Sequence, residues 1–181
     1  HADLMHLLFN MMTLYFFGPI VVEAFGEIGF LLVYFGSILL GNIFSLYLYK
    51  NQPWYSAIGA SGGVSGILFA SIAMIPDLGI MFFFIQIPIP GYIFGFLYFA
   101  YSIPGFIFGL LYFSYSVYMM LNPRMNDNIG HAAHLGGAFF GLVYAIALQP
   151  ERAIQNALFL GIMALPLIYM GFQVFVKKRI G

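Results

Sequence analysis

Apolar runs of about twenty residues follow one another along this chain, and that is the length a helix needs to cross the ~30 Å hydrocarbon layer of a bilayer. Lipid offers no partner to a backbone N–H or C=O, so such runs must become helices in a bundle or strands in a closed barrel. Composition agrees: 62% of the 181 residues are hydrophobic, 20% are aromatic and only 7% are charged. Soluble domains carry roughly 25% charged residues. The expected fold class is all-α, a polytopic transmembrane helical bundle of about six spans.

Breaks fall wherever Pro, Gly or polar residues cluster. They divide the chain into spans at Leu4 to Ala24, Ile28 to Tyr49, Ala60 to Ile75, a long stretch ending at Leu121, Ala132 to Leu148, and Ala153 to Val176. The third is the shortest. It begins at a Gly-Ser cluster after Pro53, Trp54 and Tyr55, and a helix that starts below the membrane surface leaves room for water above it. The fourth stretch is too long for one simple span and carries an internal duplication. Pro90 to Ile103 reads PGYIFGFLYFAYSI and Pro104 to Val117 reads PGFIFGLLYFSYSV, identical at ten of fourteen positions. Pro104 lacks a backbone donor and is expected to kink or break a helix there.

Several chemistries are excluded early. The six basic and six acidic residues balance, leaving no basic face for nucleic acid. There is no cysteine, hence no thiol catalysis, thiolate metal site or disulfide. The chain opens on His1 rather than methionine, which reads as a fragment without its natural beginning.

Two motifs stand out against this apolar background: Gly59-Ala60-Ser61-Gly62-Gly63-Val64-Ser65-Gly66 and Gly130-His131-Ala132-Ala133-His134-Leu135-Gly136-Gly137. A serine and an imidazole can generate a nucleophile without a permanently buried charge. Gly-x-Ser-Gly occurs in two overlapping registers, so Ser61 and Ser65 both qualify. Ser61 is favoured because it opens its span, where backbone N–H groups lack helical partners and can face an oxyanion. The Ser65 amide is instead expected to bond to the Ser61 carbonyl. His134 also opens a span, and Gly136, Gly137 and Gly141 permit close approach to the serine helix. The bland reading is that Gly59/Gly63, Gly62/Gly66 and Gly137/Gly141 are merely small-xxx-small packing faces. His131, beside the polar Asn126, Asp127 and Asn128, reads as an interfacial histidine rather than a catalytic one. In the first span His6 and Asn10 lie four residues apart on one face. They suit either an oxyanion hole or an interhelical hydrogen bond.

In this order the motifs resemble the rhomboid family of intramembrane serine proteases. The resemblance is carried by His1-Ala-Asp-Leu-Met-His6-Leu-Leu-Phe-Asn10, by Gly18, Glu23 and Gly26, by Gly59-Ala-Ser61-Gly62 and by His134-Leu-Gly-Gly137. It covers Ala2 to about Leu148 and implies a catalytic core over 1–148 without its usual first span, followed by an additional transmembrane helix and basic tail over 149–181. It implies Ser61 as nucleophile, His134 as general base and acid, and His6, Asn10 and the Ser61 amide as oxyanion donors, with no metal and no cofactor. The family often has an aromatic residue four positions after the nucleophile, stacked on the histidine. Here that position is Ser65, and Phe69 fills the role only if Ser65 is the nucleophile. The duplication falls in the helix resembling the family's lateral gate.

The expected activity is therefore an endopeptidase that cuts transmembrane segments of other membrane proteins through a Ser-His dyad, Asp127 being poorly placed to complete a triad. Its partners are transmembrane substrates and membrane lipid, not nucleic acid. Its expected place is as a multi-pass integral protein of the cell membrane. The resemblance sets the serine site toward the extracytoplasmic side, whereas Lys50, Arg124, Lys177, Lys178 and Arg179 against Arg152 argue the reverse. Two rivals remain: an inactive relative that grips transmembrane helices, and a small transporter. The transporter reading lacks paired carboxylates within the spans, since Glu23 and Glu27 lie at a span end.

Overall fold

The computed structural model describes residues 4–52, 60–80, 103–122 and 129–177. Its first element, α1 (Leu4–Tyr49), has 46 residues, about 69 Å if straight and far more than one bilayer crossing. Gly26 resolves the excess. Its φ of 74° and ψ of 174° break the helical path, a backbone conformation that side-chain-bearing residues rarely adopt. The chain turns back there, so that Gly18 of the first arm faces the Phe30 ring of the second. The two spans read from hydropathy are these two arms.

Helix α2 (Ser61–Met74) has 14 residues, a rise of about 21 Å, so at least one of its ends lies within the apolar layer. Every residue from Gly62 to Met74 is buried, which makes α2 the central helix. After it, β1 (Gly79–Ile80) pairs antiparallel with β2 (Ile103–Pro104). Pro104 then forms the N-cap of α3 (Gly105–Leu121). The backbone ahead of α3 is thus extended, and Pro104 marks a break rather than a kink. The first copy of the duplication, up to Ser102, lies outside the described residues.

Helix α4 (His131–Leu148) matches the fifth expected span. The sixth is interrupted. A short α5 (Pro150–Gln155) precedes α6 (Ala157–Gly171), which ends in a π-helical turn at Phe172–Val176. The interruption sits at Asn156, whose side-chain Nδ2 donates to the Ala73 carbonyl at the end of α2, 3.1 Å away. That bond satisfies a carbonyl that a helix terminus otherwise leaves open. Among the described residues, Leu4–Tyr49, His131–Leu148 and Ala157–Val176 are long and apolar enough to cross a membrane.

The second arm of α1 packs with α2 and α4 at backbone contact. A Cβ on Gly137 would overlap the Gly62 carbonyl oxygen, one on Gly141 the Gly66 carbonyl oxygen, and one on Gly41 the Ala133 carbonyl oxygen. Gly62/Gly66 on α2 thus interlock with Gly137/Gly141 on α4. In lipid, where burial of apolar surface cannot drive association, this close approach is a principal source of attraction between helices. Ser71 adds a polar tie, donating between the Ile67 carbonyl at 2.9 Å and the Phe17 carbonyl at 3.1 Å. Around these contacts sit the fully buried side chains of Ile67, Phe69, Ile72, Phe113, Leu135 and Met163.

The glycine interlock predicts a sharp contrast between two like substitutions. Gly137→Ala should destabilise the bundle by about 1–3 kcal/mol through overpacking. Gly161→Ala meets nothing within 4 Å and should be neutral or stabilising by up to about 1 kcal/mol. Unfolding in mixed detergent micelles, followed by circular dichroism, measures both.

Candidate functional site

Ser61 is the first residue of α2 and His134 the fourth of α4, so each stands at the start of its helix. Neither helix carries a side-chain N-cap bond. The first helical bond of α2 runs from the Val64 N–H to the Ala60 carbonyl at 3.1 Å. The amides of Ser61, Gly62 and Gly63 therefore have no acceptor within their own helix.

The Gly62–Gly137 backbone contact lies one residue beyond Ser61 and three beyond His134. It brings the two helix starts together, and Ser61 Oγ stands 2.6 Å from His134 Nε2. With the serine hydroxyl donating, Nε2 accepts and the ring proton resides on Nδ1. That is the arrangement in which an imidazole can remove a hydroxyl proton. Both residues are partly buried.

Ser65 is not brought to the imidazole. Its hydroxyl lies 3.0 Å from the Tyr112 hydroxyl of α3. Phe69, one turn further, stacks on Phe113 with centroids 4.3 Å apart and meets Tyr112 at 5.2 Å. Tyr112 was not singled out by sequence reasoning. The available signal was its recurrence as Tyr98 in the duplication, which says nothing about its partner.

His6 and Asn10 lie on the first arm of α1. Asn10 is 6% exposed, and its Nδ2 donates to the His6 carbonyl at 2.9 Å. One of the two amide protons is therefore committed to its own helix. His6 and His131 both stand within electrostatic range of the His134 ring. His131 is 6% exposed and set edge-on to Tyr115, with centroids 5.6 Å apart. The structure thus buries the ring of His131 against α3. Asp127 lies outside the described residues. Among the described residues, no group of three or more His, Cys, Asp or Glu gathers as a metal site.

Comparison with known proteins places these features in a family. The Rhomboid domain matches residues 1–151. YdcA of Bacillus subtilis, which carries the rhomboid name, is 40% identical over 76 residues, covering 41% of this chain and 37% of that protein. Rhomboid protein 1, mitochondrial, of Saccharomyces cerevisiae is 27% identical over 167 residues, covering 87% of this chain and 43% of its own length. Inactive RHOMBOID-like protein 8 of Arabidopsis thaliana is 30% identical over 73 residues, covering 40% of this chain and 21% of that protein. The chain thus spans well under half the length of these relatives. No solved structure matches it. With most of its length matched to the Rhomboid domain, this integral, multi-pass membrane protein belongs to the rhomboid family.

Proposed function

We propose that the chain is an intramembrane serine endopeptidase in which Ser61 and His134 form the catalytic dyad. The observation that carries this reading is the 2.6 Å contact between Ser61 Oγ and His134 Nε2. His134 takes the hydroxyl proton as Ser61 attacks the scissile carbonyl, and returns it to the leaving amine. The acyl-enzyme is then resolved by water, again with His134 as base. The oxyanion faces the amides at the start of α2, joined by His6 and Asn10; each such donor contributes about 2.7–4 kcal/mol to the transition state. No step in this scheme calls for a metal or cofactor.

The substrates are transmembrane segments of other membrane proteins. A helix shields its carbonyls and holds them in hydrogen bonds, so a segment must unwind locally to reach Ser61. Substrates with small or helix-breaking residues near the scissile bond are favoured. As for the membrane, the sequence suggests the cell membrane, but Rhomboid protein 1 of yeast is mitochondrial by name, and the relatives lend the cell membrane no support.

A relative named as inactive keeps a second reading in view, a helix-binding protein without catalysis. Reaction with a fluorophosphonate separates the two. The native chain and Ser65→Ala should be labelled, Ser61→Ala should not, and His134→Ala should react about 10²–10⁴-fold more slowly. A native chain that takes no label would support the helix-binding reading. On the substrate side, replacing a Gly or Ala pair by leucine in a cleaved transmembrane segment should lower kcat/KM about tenfold, as gel-based cleavage in vesicles would show. Equal cleavage of the stiffened helix would contradict the unwinding requirement.

A further inference from the structure

Helix α3 lies antiparallel on α2 in one continuous register. Gly105 faces Ile72, Gly109 faces Phe69, and Tyr112 meets Ser65. One turn further, the same register sets Ser116, which is 2% exposed, opposite Ser61. Tyr115 against His131 fixes the height independently, because His131 opens α4 one turn before His134.

The duplication separates the two sides of this helix. Of the second copy, Gly105, Tyr112, Phe113 and Tyr115 make contacts to α2 and α4, and Gly109 lies between Phe69 of α2 and Met163 of α6. All five recur in the first copy, as Gly91, Gly95, Tyr98, Phe99 and Tyr101. The copies differ only at Phe106, Leu110, Ser114 and Val117, which stand in place of Tyr92, Phe96, Ala100 and Ile103. Those four positions form a stripe on the side of α6. Phe106 packs on Phe159 with centroids 4.7 Å apart, while Leu110, Ser114 and Val117 line a cavity of about 450 Å³ with Leu165, Pro166 and Tyr169. The substitutions thus all fall on the side that faces α6, while the residues that meet the serine helix are kept.

On that side, the start of α3 is tied to the end of α2 by the Phe106 N–H donating to the Pro76 carbonyl at 2.9 Å, and Ser65–Tyr112 is a directional contact closer to the site. Glycines and stacked rings tolerate sliding, whereas a hydrogen bond between two hydroxyls has a narrow geometry. We propose that Tyr112 is a positioning residue: its hydroxyl, bonded to Ser65 one turn below Ser61, holds α3 in register on the serine helix and so determines which part of α3 borders the site. The consequence for substrate binding rests on the protease reading above. The placement of α3 does not.

The chain's lack of cysteine permits a direct test. Spin labels at Leu111→Cys on α3 and Phe139→Cys on α4, both at exposed positions, report the distance between these helices in the full chain in lipid nanodiscs. Tyr112→Phe keeps the rings but loses the hydroxyl, and should shift or broaden the distance distribution by about 2 Å. Ser65→Ala should do the same, while Ser65→Thr, which retains a hydroxyl, should preserve the native distribution. With a transmembrane substrate, Tyr112→Phe should raise KM about fivefold, the size of one buried hydrogen bond, with kcat changed less than KM. An unchanged distribution in Tyr112→Phe and Ser65→Ala would overturn the proposal, as would a loss confined to kcat. A native chain that neither labels nor cleaves would sink the protease reading alone, leaving the distance measurement to decide the role of Tyr112.

Discussion

The structure depends on backbone-to-backbone contact between α2 and α4. Gly62 and Gly66 on one helix meet Gly137 and Gly141 on the other so closely that a single added carbon would overlap a carbonyl oxygen. In water such contact would be one term among many. In lipid it bears much of the load, because the hydrocarbon outside is as apolar as the side chains inside. The same contact makes the chemistry feasible. Ser61 and His134 lie within one turn of the Gly62–Gly137 crossing, so the contact sets how far apart the two helix starts stand. Packing and site geometry are thus one constraint seen at two points along the same pair of helices.

Around this interlock, polar side chains close the open ends and bends of helices. Asn156 bonds to the last turn of α2, Gln149 donates to the Ala24 carbonyl at 3.3 Å near the bend of α1, and Ser71 joins α2 to the first arm. Each supplies a partner where lipid supplies none. The helix starts at Ser61 and His131, like those of α3, α5 and α6, carry no side-chain cap. At Ser61 that leaves amide donors beside the contact between a serine and a histidine, where the proposed reaction needs them.

Much of this was legible in the sequence because membrane helices are governed by length and hydropathy. The two arms of α1, the bend at Gly26, the short α2 and the extent of α4 all follow from apolar runs and their interruptions. The break at Pro104 follows from its missing donor. The meeting of Ser61 with His134 was also readable, through the glycines flanking each. The rest was hidden because it depends on partners far apart in the chain. Nothing local to Asn156 announces a bond to Ala73, and nothing near His131 announces Tyr115. The back-bond from Asn10 to His6 is a rotamer choice that spacing cannot reveal. Ser65 was legible as a second serine of the right motif, but its partner Tyr112 comes from a helix 47 positions later, and only the fold tells a hydroxyl facing an imidazole from one facing a phenol.

The central claim is that close glycine packing creates the Ser61–His134 pair, and the most direct measurement is the reaction rate of Ser61 with a fluorophosphonate in Gly137→Ala, taken on the fraction that remains folded in lipid. If the backbone contact sets the hydroxyl-to-imidazole distance, the added methyl parts the helices and the rate falls at least about tenfold, while Gly161→Ala reacts like the native chain. A folded Gly137→Ala protein that reacts at the native rate would contradict the account.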